Sequence, residues 1–227
     1  MHAEYYTDKL YPLQDKFLRM LNNMDTDFYL TGGTALSRFY LQHRYSDDLD
    51  FFANGSEHFR ENITAIIKGM DVKCEIGARD EMFARIFVNQ GDCTLKIDFV
   101  NDVPFHSGTF NKTRIFKKVD NPLNILSNKV SALQRNSPKD IADIVLISER
   151  FHFNWVEIIE DAQKKDLWVN PLDVAMIMES FPVKQLNEVK WISMPDLDLF
   201  SKNIKILIKD IVKGKTNSLC KLKQDGK

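Results

Sequence analysis

Cysteine is scarce in this 227-residue chain: Cys74, Cys93 and Cys220 are odd in number and far apart. No CxxC occurs, which argues against a zinc site or a disulfide framework and fits a reducing compartment. Histidine is also sparse. His58, His106 and His152 are scattered and sit in no nucleophile motif, so neither Ser-His-Asp nor Cys-His chemistry is suggested. Neither sign of charge dominates. With 31 Lys and Arg against 32 Asp and Glu, the formal net charge is −1. That excludes a globally basic nucleic-acid coat and leaves a local basic patch open. Apolar runs reach only a few residues, too short to span a membrane. The opening MHAEYYTDKLYPLQDKF carries charge early and has no apolar segment, so no signal peptide is expected and the chain reads as cytoplasmic. Repeats and low-complexity segments are absent.

What is present suffices for a folded protein with a sizeable core. Apolar residues at 44% and charged residues at 28% describe a soluble globule, not a disordered chain. At about 150 residues per domain, the length predicts one full domain and a smaller appendage.

Apolar periodicity predicts a helix over 9–22, a short strand at Phe28-Tyr29-Leu30 and a helix from Thr34 to about Gln42. A strand follows from Asp48 to Phe52, then a helix over 56–69 with Ser56 as its cap. Strands are expected at 71–76, 83–89 and 93–100, the last two joined through Gln90-Gly91-Asp92. Residues 111–119 are polar and β-capable. Asn121-Pro122 then marks a change to helical pattern, over 122–134, 137–150, 154–165, 171–179 and 195–212, with Pro138 in a first turn behind Ser137. The expected boundary places one domain at 1–120 and a helical-bundle domain at 121–227.

Asp48-Leu49-Asp50 most needs explaining. Residues two apart on a strand share a face, so two carboxylates stand side by side between Leu49 and Phe51. Like charges that close raise each other's pKa, and a divalent cation would relieve the repulsion. A solvated strand face is the plain alternative. Asp98 lies on a second alternating run, Leu95-Lys96-Ile97-Asp98-Phe99-Val100, with Lys96 and Asp98 on one face. If the two strands are neighbours, Asp98 joins Asp48 and Asp50, and three carboxylates can hold two metals for phosphoryl transfer. Otherwise Asp98 is a surface partner for Lys96. Gly32-Gly33-Thr34 sits between a strand and a helix, where backbone N–H groups can approach an anion. A tight turn is the simpler reading of two glycines alone.

The order of strand, Gly-Gly turn, helix, DxD strand and third acid resembles the nucleotidyltransferase superfamily with the polymerase-beta-like core. It is more closely similar to the AbiEii/AbiGii toxin family. The residues that carry the likeness are Gly32-Gly33-Thr34-Ala35-Leu36 and Arg44-Tyr45-Ser46-Asp47-Asp48-Leu49-Asp50-Phe51-Phe52. Lys129 through Arg135, followed by Lys139-Asp140-Ile141-Ala142-Asp143, looks like the family's downstream Lys…Arg…Asp segment. The match spans about residues 28–143.

The resemblance implies an α+β fold: a nucleotidyltransferase-type mixed sheet flanked by helices, followed by a C-terminal helical bundle. It implies that Asp48, Asp50 and Asp98 bind Mg²⁺ or Mn²⁺ and carry catalysis. Gly32, Gly33 and Thr34 would hold the triphosphate of an NTP substrate. Arg44 and Ser46 would lie near the phosphates, Lys129 would contact them, and Asp140 or Asp143 would position the nucleotide or Lys129. Family members act as toxins in abortive-infection and type IV toxin–antitoxin systems, which implies a cognate antitoxin and an acceptor such as a tRNA end. Other readings remain open: Lys129 as a surface lysine, Asp140 as part of a capping box with Ser137, Arg44 as a partner of Asp48 or Asp50. A phosphotransferase using the same acids and a catalytically silent nucleotide-binding module are the rival functions.

The last 26 residues carry Lys202, Lys205, Lys209, Lys213, Lys215, Lys221, Lys223 and Lys227 against Asp210 and Asp225. The first four make a stripe on one helical face, a track for an RNA backbone or a solvated amphipathic helix. Lys112, Arg114, Lys117 and Lys118 could extend it.

Overall fold

Two runs with a two-residue period, either side of residues 54 and 93, become neighbouring strands, and the sheet is organised about them. The computed structural model describes residues 2–220; Lys221, Lys223, Lys227 and Asp225 of the basic terminus lie outside the described residues. The chain divides into two compact units, Met1–Asn121 and Pro122–Lys227.

In the first unit α1 (His2–Tyr5) runs through a π-helical turn (Tyr6–Leu10) into α2 (Tyr11–Asn22). This helical stretch starts earlier than the pattern predicts, because Tyr6 and Leu10, each 1% exposed, extend its apolar stripe. Next come β1 (Tyr29–Thr31), α3 (Gly32–Leu36) with a π-helical continuation (Ser37–Leu41), β2 (Leu49–Asn54) and α4 (Phe59–Gly69). The strands β3 (Cys74–Arg79), β4 (Phe83–Gln90) and β5 (Cys93–Asp102) complete a sheet of order β1-β2-β5-β4-β3. β2 and β5 are parallel; every other pairing is antiparallel.

Alternation sorts the two faces. Leu49, Phe51 and Ala53 of β2 and Ile97 and Phe99 of β5 are buried. Phe51 and Phe99 are register partners with rings 5.3 Å apart, and Phe17 of α2 and Phe28 close over them. Phe59 of α4 meets Phe28 at 5.6 Å. Each such buried phenyl contributes about 2 kcal/mol of transfer free energy, so this is the face that fixes the sheet. The polar members of the same strands must then point the other way.

Three local expectations change. The strand expected at 71–76 is displaced to β3, which is exposed along most of its length and slips register between Ile76 and Ala78, so burial does not fix its ends. Ser56 does not cap α4: His58 holds that position without a side-chain cap bond, while the Ser56 hydroxyl donates to Asp27 at 2.6 Å. Residues 111–119 form no strand; Val119 makes isolated bridges to Leu30 and Asn111, and Lys118 Nζ donates to the Thr26 carbonyl at 2.7 Å.

The second unit is helical: α5 (Pro122–Ser131), α6 (Pro138–Arg150), α7 (Trp155–Gln163), α8 (Pro171–Ser180) and α9 (Leu197–Val212). Asn154, Asn170 and Asp196 cap the last three by accepting N–H bonds from the first turn. Ser137 precedes Pro138 at the start of α6, but its side chain makes no cap bond. Among the described residues no helix is long and apolar enough to cross a membrane.

Candidate active site

Sheet register builds the site. Thr31 of β1 stands opposite Asp50 of β2, Asp50 opposite Asp98 of β5, Asp98 opposite Arg85 of β4, and Arg85 opposite Ala78 of β3. One rung thus crosses all five strands and sets Asp50 and Asp98 on adjacent parallel strands. Asp48 lies just ahead of β2, and Lys96 lies two residues before Asp98 on the same face.

The acids are held by cations. Arg85 grips Asp98 with two bonds of 2.7 Å, Nε to Oδ1 and Nη2 to Oδ2. Such a fork is both directional and charge-assisted. Lys96 Nζ lies 2.7 Å from Asp48 Oδ2 and 3.7 Å from Asp98 Oδ2. Burial pulls the Lys96 ammonium down, but the bond to Asp48 and the charges of Asp48, Asp98 and Asp50 outweigh it and leave the pKa above the ordinary lysine value. The Arg85 guanidinium is raised chiefly by its bond to Asp98, with Asp48 and Asp50 adding charge.

Both glycines of the turn are there for close approach. Gly32 has φ +69°, and a Cβ on it would sit 2.6 Å from Asp50 Oδ2. A Cβ on Gly33 would strike Nη2 of Arg44. Gly32 and Gly33 open α3 directly, two residues before the expected helix start. Thr34, fully buried, donates its hydroxyl to the Asp48 carbonyl and so fixes the approach to β2. Arg44, 2% exposed, takes its carbonyl bond from Ser37 Oγ at 2.5 Å and donates Nη1 to the Tyr45 carbonyl at 3.3 Å. Ser46 is buried too, and Gln14 of α2 holds its carbonyl and that of Asp47.

The donor set is three carboxylates without imidazole or thiol, which suits a hard cation such as Mg²⁺ or Mn²⁺. Among the described residues no three acidic, imidazole or thiol groups converge as an ion cage. Lys96 and Arg85 hold the carboxylate oxygens instead. The donors fit such an ion in kind.

The second unit carries its own charged cluster. Lys129 Nζ, on α5, lies 2.7 Å from Asp140 Oδ1 and 3.1 Å from Asp143 Oδ2, both on α6. The acids are i,i+3 neighbours on one helix face, and Asp143 is fully buried. Lys129 is thus no surface lysine, and Asp140 makes no capping box with Ser137. Lys165 holds α5 from outside: its ammonium donates to Asn124 Oδ1 at 2.7 Å, Ser127 Oγ at 2.7 Å and Asn128 Oδ1 at 2.5 Å.

Sequence reasoning missed Arg85 and Lys165 and gave Lys96 only as a surface partner of Asp98. Arg85 was detectable as the polar position in the alternation Ala84-Arg85-Ile86, but its partner is set by strand pairing. Lys165 binds neutral amides and a hydroxyl, which leave no charge pattern. Lys202, Lys205 and Lys209 of α9 and Lys213 at its C-terminal end are all exposed.

Comparison with known proteins agrees with this architecture. The crystal structure of JHP933 from Helicobacter pylori is similar with a TM-score of 0.61 at 20% identity, over 90% of this chain and 90% of that one. A second H. pylori structure, provisionally described as a nucleotidyltransferase, gives 0.60 at 19% identity over 91% and 96%. At these identities the likeness establishes the fold. No curated protein sequence gives a match. The family model described as "Nucleotidyl transferase AbiEii toxin, Type IV TA system" matches residues 16–209, which include the Gly-Gly turn, all three acids and the Lys129 cluster. With that span matched, the chain belongs to the AbiEii family of nucleotidyltransferase toxins.

Proposed function

We propose that the protein transfers a nucleoside monophosphate from an NTP to an acceptor hydroxyl, with a divalent metal held by Asp48, Asp50 and Asp98. The observation that carries this reading is the register pairing of Asp50 with Asp98, with Asp48 two residues before Asp50. A bound Mg²⁺ or Mn²⁺ would neutralise charge on the triphosphate and on the departing pyrophosphate. The chain's own residues do the rest. Asp98, oriented by Arg85, takes the proton of the acceptor hydroxyl. The acceptor oxygen bonds to the α-phosphorus as the bond to pyrophosphate breaks in line. Gly32, Gly33 and Thr34 offer backbone to the triphosphate, with Arg44 and Ser46 beside that turn. The family resemblance assigns a phosphate contact to Lys129, which Asp140 and Asp143 hold within the second unit. Positioning and charge neutralisation supply most of the rate.

The acceptor is an RNA end, such as that of a tRNA, or a protein hydroxyl, and the context is that of a toxin restrained by a cognate antitoxin. The exposed lysines at 202, 205, 209 and 213 support an RNA backbone track.

Thermal unfolding with each NTP, with and without Mg²⁺, tests the site. Native-state binding raises apparent stability by mass action. A Mg²⁺-dependent rise with one NTP, lost in Asp48→Ala/Asp50→Ala, is expected and names the donor. A rise that persists in the double variant would move the nucleotide elsewhere. Product mass then distinguishes an added nucleotide from an added phosphate.

A further inference from the structure

Between Asp102 and Asp120 the chain carries Lys112, Arg114, Lys117 and Lys118 and no Asp or Glu. This segment folds back on itself. Asn111 and Val119 exchange backbone bonds of 2.7 and 2.9 Å, and the Thr113 amide donates to the Phe116 carbonyl at 2.9 Å to close the tip. Phe116 is buried with its ring 5.8 Å from that of Phe51, so the core holds the loop from beneath. Lys118 is taken up by the Thr26 carbonyl. Lys112, Arg114 and Lys117 are exposed, and among the described residues none of them has an ion-pair partner.

An aromatic stack stands at the root of the loop. The Phe110 ring lies 4.8 Å from that of Tyr29 and 4.3 Å from that of His106, and Tyr29 meets His106 edge-on at 5.1 Å. Tyr29 is 2% exposed and Phe110 41%. Two rings thus back the phenyl, and the rest of its surface is open to solvent. The backing is itself fastened. His106 Nε2 lies 3.0 Å from Asp120 Oδ1, and Thr31 Oγ1 donates to Asp120 Oδ2 at 2.6 Å. The Tyr40 hydroxyl donates to the Asp120 carbonyl and accepts from Asn111 Nδ2 at 2.8 Å. Thr31 stands opposite Asp50, so the loop is rooted at the end of the rung that carries Asp50 and Asp98.

We propose that this loop is a binding surface for an unpaired nucleic-acid strand: one base stacks on Phe110 while Lys112, Arg114 and Lys117 follow the phosphates.

The chemistry selects that occupant. Cations alone would serve any polyanion. A firmly backed aromatic face beside them adds a seat for a flat ring, the combination by which proteins hold single strands. In a duplex the base faces are already stacked, so the surface separates an open strand from a paired one. An acidic peptide would meet the cations but has no use for the phenyl. The assignment rests on the reading of the acceptor as an RNA end and gives that end a place beside Thr31.

Fluorescence anisotropy on the full chain tests it with three probes of equal length: an unstructured oligoribonucleotide, the same strand without its bases, and the same strand paired in a duplex. The wild type is expected to bind the open strand about tenfold or more tighter than either of the others. Phe110→Ala weakens the open strand by about 5- to 150-fold, the worth of one stacked base, and leaves the abasic strand unaffected. Phe110→Trp keeps a flat face and binds at least as tightly as the wild type, which shows that the stack and not a disturbed fold is responsible. Changing Lys112, Arg114 and Lys117 together to glutamine lowers the slope of log affinity against log salt by about 2, at about 0.7 per single-strand contact. The proposal is overturned if Phe110→Ala binds the open strand as the wild type does, if the abasic strand or the duplex binds as tightly as the open strand, or if the triple variant keeps its slope. The donor site answers separately. A protein that holds the open strand through Phe110 but shows no Mg²⁺-dependent thermal rise with any NTP would overturn the nucleotide-transfer reading and leave this surface standing.

Discussion

Arg85 and Asp98 face each other across β4 and β5 and share two hydrogen bonds of 2.7 Å each. The pair is the end of a charged rung that begins at Asp50. Asp98 keeps further lone pairs on each oxygen, so the fork fixes its direction without using it up. Arg85→Gln is expected to lower nucleotide transfer by about 10- to 100-fold, the worth of one or two charge-assisted bonds. Stability should change by about 1 kcal/mol or less, since the Arg85 side chain is 37% exposed. Steady-state kinetics beside a thermal melt separate the two; a large stability loss with normal turnover in the surviving fraction contradicts the assignment.

Gly32 and Gly33 make different demands. At Gly32 the positive φ and the approach of Asp50 Oδ2 both exclude a side chain. Gly32→Ala is expected to destabilise by about 1–3 kcal/mol through strain and to displace Asp50. At Gly33 the obstacle is the far end of Arg44, a flexible group. Gly33→Ala should therefore cost less stability. A thermal melt showing the reverse order would contradict the geometry.

Lys129 lies between two carboxylates on α6, so its removal leaves like charges facing each other, one of them fully buried. Lys129→Met is expected to destabilise by about 3–5 kcal/mol, the usual consequence of orphaning a buried charge. Lys129→Met/Asp143→Asn should recover part of that loss. Chemical denaturation of the single and double variants measures the coupling directly.

Alkaline pH should weaken the fold through two phenols. Burial raises the pKa of Tyr11 and of Tyr40 above the ordinary value of 10.0. A phenol raised in the folded state stays neutral there after the unfolded chain has begun to ionise. Its contribution is thus complete below about pH 10 and is lost as pH rises through the folded value. Tyr40 also donates its hydroxyl to the Asp120 carbonyl at 2.7 Å. Tyr40→Phe is expected to be less stable than wild type at neutral pH and to lose less on going to pH 11. Melts across that range check both parts.

Much of the architecture was legible because it is written in local periodicity. Phe51 and Phe99 are buried on alternating runs, and the alternation that buries them also turns Asp50 and Asp98 outward. What was not legible depends on pairing between distant segments. That Asp98 meets Asp50 requires β2 and β5 to be parallel neighbours in one register, and Arg85 joins only through a third strand. β3 could not be placed accurately because most of its residues are exposed and no buried face marks its ends. Ser56 has the composition of a cap, but its hydroxyl is taken by Asp27, a partner 29 residues away.

The lysine stripe that runs along α9 to its C-terminal end offers a prediction that separates a working surface from a solvated one. Lys202, Lys205, Lys209 and Lys213 are exposed, while Phe200, Ile204, Leu207 and Ile211 of the same helix are buried. Changing the lysines to glutamine leaves the apolar face untouched, so stability should move by about 0.5 kcal/mol or less. If these side chains follow an RNA backbone, each one removed takes a counterion-release contribution with it. The slope of log affinity against log salt should then fall by about 0.7 per lysine that contacts a single strand. Removing all four would flatten the salt dependence and weaken binding at low salt far more than at high salt. A fluorescence anisotropy series with an unstructured oligoribonucleotide gives the slope. If the quadruple variant keeps the wild-type slope, the stripe is a solvated helix face and the acceptor is held by other residues.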